Sequence, residues 1–293
     1  MIRDPLDAPP LERRGGIVQG RSATWWTCGP ERGAPVLLLH GSGVDEARLS
    51  FGRIAGPLAR TGCRVIAPDL PGYGGTKGFG RAAGVAEMTA WVRAFRAVAG
   101  VPPSAVGGVS MGGAIALSLA LEEPGAVTAL APIGTYGVLP RMPFHALRRL
   151  AVPMAGIGPI FQACSASGFA ARRFLGRLYK DRTRIDGATV DAFRAACLRQ
   201  CDTPAMGGFL HREVGKDAFR TALAPRLGEI GVPIAFLHGD ADPFIPIAGI
   251  RVAAEGHASA RVVALDAGHW PSREVPEAVV AALLDLLPDV AAA

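Results

Sequence analysis

A serine sits between glycines in Gly108-Val109-Ser110-Met111-Gly112, where a strand-like run, Ala105–Val109, meets an Ala/Leu-rich helical stretch, Met111–Glu122. A tight strand-to-helix turn needs small residues around its central position, because a Cβ there would clash with neighbouring backbone. Such a turn lifts the Ser110 hydroxyl to the C-terminal edge of a sheet, over the positive end of the following helix. Serine is a weak nucleophile unless a base takes its proton and an acid orients that base. The candidate base is His269, in Ala267-Gly268-His269-Trp270-Pro271, just after the last strand-like run. The candidate acid is Asp242, in His238-Gly239-Asp240-Ala241-Asp242-Pro243, just after the preceding run. The chain order Ser110, Asp242, His269 is the order expected of a nucleophile elbow, and its chemistry is attack on a carbonyl carbon. Asp240 is the rival acid, and His238, His257, His211 and His145 are rival bases; of the histidines, only His269 occupies the loop after the last strand.

Attack on a carbonyl also needs backbone donors for the oxyanion. Met111 N–H, directly after the nucleophile, is one candidate. The other lies in His40-Gly41-Ser42-Gly43, after the apolar run Val36–Leu39; Ser42 N–H is preferred and Gly43 is the alternative. Phe144, Met154, Phe161, Phe169, Phe174 and Phe209 are candidates to line a substrate pocket, with Trp270 beside His269. Packing of helix on helix is the commoner use of such residues.

Elements that could position these residues alternate along the chain. Two short strands are expected over Arg13–Gly29 with a turn at Gly20, then the buried run Val36–Leu39 and a helix over Glu46–Arg60. Strand Cys63–Ala67 leads into the turn Asp69-Leu70-Pro71-Gly72-Tyr73-Gly74-Gly75-Thr76, followed by helix Val85–Val98. Val127–Ile133, Ile234–Leu237 and Arg261–Leu265 are further strands, and Ile247–Glu255 and Val275–Leu287 further helices. Such alternation implies an α/β fold with a doubly wound, mostly parallel sheet. Residues 135–228 break the rhythm with Arg-rich helical patterns such as Ala171–Tyr179 and Val190–Arg199. We read them as a helical cap inserted into a core made of residues 1–134 and 229–293.

Composition narrows the partners. The chain has 293 residues, 49% of them hydrophobic and 19% charged, enough apolar material for a large core and too little charge for disorder. Its 38 Gly and 24 Pro follow no G-X-Y period. The net charge is +6, but arginines are scattered in no block longer than a pair, so nucleic-acid binding is not expected. No uninterrupted apolar run reaches the ~18 residues of a membrane span, and Met1–Arg14 lacks the apolar core of a secretory signal. The five cysteines show no CxxC pair or Cys/His metal spacing, which points to a reduced, cytoplasmic protein without structural metal.

Taken together, His40-Gly41-Ser42-Gly43, Asp69-Leu70-Pro71-Gly72-Tyr73-Gly74, Gly108-Val109-Ser110-Met111-Gly112-Gly113, Gly239-Asp240-Ala241-Asp242-Pro243 and Gly268-His269-Trp270-Pro271 resemble the cap-bearing branch of the α/β-hydrolase superfamily. The resemblance implies an α/β-hydrolase fold, a covalent acyl-enzyme and no cofactor. Serine at position 110, where the haloalkane dehalogenase and epoxide hydrolase branches carry a carboxylate, sets the chain apart from both. Several of the motifs also look like those of meta-cleavage-product hydrolases, which break a carbon–carbon bond. Those enzymes usually carry Asn where this chain has Val109, and Pro-Gly where it has Val44-Asp45. The expectation is therefore a serine esterase acting on a small, largely apolar ester or lactone, as a monomer or homodimer. Carbon–carbon hydrolysis ranks second, and a non-hydrolytic cyclase or lyase, or a ligand-binding protein on the same fold, third.

Overall fold

The computed structural model describes residues 10–141, 157–201 and 205–287; Phe144, His145 and Met154 fall outside them. Eight strands form one sheet: β1 (Glu12–Val18), β2 (Arg21–Cys28), β3 (Ala34–Leu39), β4 (Cys63–Pro68), β5 (Ser104–Val109), β6 (Val127–Ile133), β7 (Ile234–Gly239) and β8 (Ala260–Leu265). Their order is β1-β2-β4-β3-β5-β6-β7-β8. The β1–β2 hairpin closes through Gln19-Gly20 and pairs antiparallel onto β4; every other pairing is parallel.

The continuous apolar runs follow from burial of the sheet on both faces. Along β3, Val36 and Leu38 feed one core cluster while Leu37 and Leu39 feed the other, and all four are fully buried. The first cluster takes in α1 (Ala47–Phe51) and α2 (Ala55–Arg60), and the second α3 (Val85–Ala99) and α4 (Met111–Glu122). The expected single helix over Glu46–Arg60 is thus two short ones. Pro57 explains the break: inside a continuous helix it would orphan a carbonyl and clash with the preceding turn, whereas in the first turn of α2 its missing N–H costs nothing.

Between β6 and β7 the described chain forms α5 (Ile157–Ala166), α6 (Gly168–Leu175), α7 (Gly187–Gln200) and α8 (Ala205–Glu213). The side chains of Ser167 and Asp186 cap α6 and α7 by accepting the N–H groups of Ala170 and Thr189. The helix expected over Ala171–Tyr179 accordingly starts three residues earlier and ends at Leu175, before Gly176. Polar clamps fasten this segment to the sheet layer: Arg53 meets Asp186, Arg273 donates to Thr189 Oγ1 at 2.7 Å, and Arg199 pairs with Glu46 at 2.7 Å. The chain closes with α9 (Ile247–Ala254), α10 (Pro271–Glu274) and α11 (Pro276–Leu284). Among the described residues, no helix is long and apolar enough to cross a membrane.

Leu37 lies in a central strand with no exposure. Leu37→Ala should lower the unfolding free energy by about 2–5 kcal/mol through lost burial and a residual cavity, measured as a fall in the urea midpoint at unchanged slope.

Candidate active site

Ser110 lies between β5 and α4 with φ 50° and ψ −110°, a conformation that costs a non-glycine residue of order 1–3 kcal/mol. Hydrogen bonds on both sides hold it there. Its N–H donates to Ile133 O at 2.8 Å, and its carbonyl accepts the N–H groups of Tyr136 at 3.1 Å and Gly113 at 3.0 Å. The flanking glycines are needed for close approach: a Cβ on Gly108 would stand 2.2 Å from Gly112 O, and one on Gly112 2.0 Å from Leu39 O.

The candidate acid and base come from the ends of β7 and β8. His269 Nδ1 donates to Asp242 Oδ2 at 2.7 Å, while Asp242 Oδ1 accepts the N–H groups of Phe244 and Ile245 at 2.8 and 3.0 Å. Burial alone would raise the Asp242 carboxyl; the charge and hydrogen bond of His269 lead the interactions that outweigh burial and hold it below the usual carboxylate range. Asp240 is instead an exposed partner of Lys180, 2.8 Å away. His238 is buried beneath Asp242 with its Nε2 donating to Ile245 O, and burial lowers its pKa. His257 is spent on Ile230 O and Ser259 N–H, and His211 sits in the last turn of α8. Gly134 packs against the acid–base pair at φ 50°, where a Cβ would come within 3.1 Å of His269 O.

Ser110 and His269 open onto one cavity of about 370 Å³. No hydrogen bond joins the Ser110 hydroxyl to His269 Nε2; in enzymes, catalytic bonds of this kind can form only with substrate in place.

Met111 N–H, at the first position of α4, has no intrahelical acceptor. The direction of Ser42 N–H follows from peptide planarity. His40 Nδ1 donates to Gly41 O at 2.7 Å, so the N–H at the other end of that planar trans peptide, that of Ser42, points the opposite way. His40 Nε2 accepts Leu70 N–H at 2.9 Å, and burial pushes the ring down to about 4, which keeps it neutral in this tautomer. Ser42 and Gly43 both line the cavity.

Of the aromatic residues singled out in the sequence, Phe174, Phe209 and Trp270 line the cavity. Phe161 does not: it is buried in the cluster that joins α5, α6 and α7, where burying its face against neighbouring helices takes the whole ring. Phe169 is 80% exposed. Other wall residues carried no recognisable sequence signal, among them Phe244, whose ring meets His269 edge-on at 5.1 Å, Met206 and Tyr136. Two buried carboxylates were equally invisible. Glu213 accepts from Tyr136 Oη, Thr221 Oγ1 and Val85 N–H. Glu274 accepts from Gly268, Lys180 and Asp181 N–H, while His269 N–H donates to Leu178 O at 2.7 Å, so the base loop leans on the segment after α6. No cluster of His, Cys, Asp or Glu able to hold a metal occurs among the described residues.

A strained serine elbow on a mostly parallel sheet, with its acid and base on later strand ends, defines an α/β hydrolase. A model of the alpha/beta hydrolase family matches residues 36–282, and the chain belongs to that family of hydrolases. It is 31% identical over 249 residues to pimeloyl-[acyl-carrier protein] methyl ester esterase of Aromatoleum aromaticum, covering 83% of this chain and 93% of the relative. It is 28% identical over 260 residues to 2-hydroxy-6-oxononadienedioate/2-hydroxy-6-oxononatrienedioate hydrolase of Comamonas testosteroni, covering 87% and 88%. Among solved structures, a putative lipase from Acinetobacter baumannii superposes with a TM-score of 0.80 at 21% identity, over 96% of this chain and 92% of that one.

Two expectations follow from this geometry. Asp242→Asn should reduce kcat by ~10⁴ by favouring the wrong imidazole tautomer, whereas Asp240→Asn should leave turnover within twofold; steady-state kinetics on an ester substrate separate them. The second concerns pH. Burial pushes the Asp45 carboxyl up to about 8 and that of Asp69 to about 6, and lowers both His40 and His238. Below about pH 6.5 the carboxyls hold protons that the unfolded chain has released, and the histidines lack protons that it carries, so their slopes oppose. Above it the histidines no longer differ and Asp69 soon ceases to, leaving Asp45, so stability falls as pH rises from about 6.5 to 8. Thermal unfolding at pH 6.5 and 8 should show this fall in the wild type and a flatter dependence in Asp45→Asn.

Proposed function

We propose that the protein is a serine hydrolase cleaving a small, largely apolar carboxylic ester or lactone through an acyl-enzyme on Ser110. The observation that carries this reading is the 2.7 Å Asp242–His269 bond opening onto the same cavity as the strained Ser110. His269 Nε2 takes the hydroxyl proton as Ser110 Oγ attacks the carbonyl carbon, and Asp242 keeps Nδ1 protonated and offsets the charge on the imidazolium. Met111 and Ser42 N–H groups receive the oxyanion, with Gly43 N–H the alternative. His269 then protonates the leaving oxygen and activates the water that releases the acid.

The cavity limits the substrate. At about 370 Å³ it suits a small substrate, and its walls are chiefly apolar, with Val44, Leu139, Phe174, Phe193, Leu210 and Phe219 among them. Most of this surface comes from residues within 135–141, 174–178, 193 and 206–219, the described part of the proposed cap. The esterase from Aromatoleum supports the ester reading.

One observation favours carbon–carbon hydrolysis of a carboxylate-bearing substrate as the second reading. Arg141 and Arg177 line the cavity and have no acidic partner among the described residues, and the relative from Comamonas acts on dioates by its name.

A fluorophosphonate should add one adduct to the wild type, seen by intact-protein mass, and none to Ser110→Ala or His269→Ala. Ser110→Ala should also lose kcat by ~10⁴–10⁶; turnover within tenfold of wild type would exclude the covalent mechanism. Turnover of a 2-hydroxy-6-oxo-dienoate with none of p-nitrophenyl esters would move the second reading ahead. Tight binding without sustained product release would leave a ligand-binding role.

A further inference from the structure

We propose that Asp45 is a positioning residue for the oxyanion side of the site. It holds the backbone at Gly41 and ties it, through Ser50 and Trp270, to the loop that carries His269. The inference rests on the serine-hydrolase reading above.

Asp45 is buried in the cavity wall. Its Oδ2 accepts Gly41 N–H at 2.7 Å, and its Oδ1 accepts Glu46 N–H at 2.8 Å. The Ser50 hydroxyl lies 2.9 and 2.7 Å from the two oxygens and itself accepts Trp270 Nε1–H at 2.9 Å. Three hydrogen bonds thus run from the loop behind the nucleophile to the residue following the base, positions 220 apart between Ser50 and Trp270.

The first of them matters because Gly41 has no side chain to fix it and stands beside the nucleophile. A Cβ there would lie 3.5 Å from Ser110 Cβ. Asp45 fixes the peptide entering Gly41 and His40 fixes the peptide leaving it, so both planes flanking this residue are held. Ser42 N–H belongs to the second plane, and its aim depends on Gly41 φ and ψ, which the two bonds restrict together. A carboxyl is the group that fits, since each oxygen meets a backbone N–H; an amide in its place would turn an NH₂ toward one of them. Burial of this carboxyl is costly, so an apolar residue would serve stability better if packing were its whole role.

The test uses p-nitrophenyl butyrate and an alkyl trifluoromethyl ketone, which adds to a nucleophilic serine as a tetrahedral oxyanion. Asp45→Asn should lower kcat by ~10²-fold with KM within threefold, and weaken the ketone by a comparable factor. Ser50→Ala and Trp270→Phe, which keeps an aromatic side chain, smaller than the indole, and deletes the donor, should each lose about tenfold in kcat with the same KM pattern. A folded Asp45→Asn protein, judged by near-ultraviolet circular dichroism, with kcat within threefold of wild type would overturn the proposal. So would a loss confined to KM. Should Asp45→Asn not fold, Trp270→Phe decides: unchanged kcat and ketone affinity overturn the link. A wild type that neither hydrolyses esters nor takes up a fluorophosphonate would overturn both this inference and the reading beneath it, whereas an active wild type beside an equally active Asp45→Asn would overturn this one alone.

Discussion

Everything at the site depends on a serine held in a backbone conformation that serine does not choose. The φ of 50° at Ser110 persists because β5 is pinned between β3 and β6 and because the Ser110 peptide groups are bonded to Ile133, Tyr136 and Gly113. The sheet must therefore be intact before the hydroxyl can be presented. Two full cores, one on each face of the sheet, supply the stability against which this local cost is set. Precision at the elbow is in this sense a property of strands that never touch substrate.

Parts of this arrangement were legible in the chain and others were not, for identifiable reasons. The elbow could be read because its requirement is local: glycine must stand wherever backbone passes at 2 Å, and Gly108 and Gly112 do. Asp242 and His269 could be read because strand ends are marked by apolar runs giving way to Gly and Asp. The partners of Glu274 and Glu213 could not. Glu274 binds the N–H of Lys180, 94 residues away, and Glu213 that of Val85, 128 away, and no sequence spacing encodes such meetings. Phe161 and Phe174 show the same limit from the apolar side. Both lie on helices between β6 and β7, yet one is sealed among helices and the other faces the cavity, a difference set by helix rotation that a single chain does not display. The divided helix at Gly52 was within reach, because Pro57 announces it.

Charge is distributed unevenly around the cavity. Arg199, Arg212 and Arg184 are engaged with carboxylates of the sheet layer or its loops, and Arg53 of the sheet layer with Asp186 at the start of α7, so these pairs hold the helices over the cavity in place. These pairs are partly exposed, so each contributes modestly to stability; their joint effect is to fix orientation. Arg141 and Arg177 stand apart from them in the cavity wall. The same residue type thus serves as fastener at the periphery and, without an acidic partner among the described residues, as part of the cavity wall, which is why the net charge of +6 by itself says little about ligands.

The docking of the His269 loop on the segment after α6 has a consequence for recombining this protein with its relatives. Exchanging the proposed cap between such chains treats it as a module with clean edges, but here Leu178 O takes the backbone N–H of His269, the candidate base, and the amides of Lys180 and Asp181 are bound by Glu274. A graft boundary drawn through residues 178–181 would hand the base a foreign scaffold. A graft that keeps these four residues with the parental sheet, or brings a matching Glu and loop along, preserves the register of the imidazole while replacing the walls around the substrate.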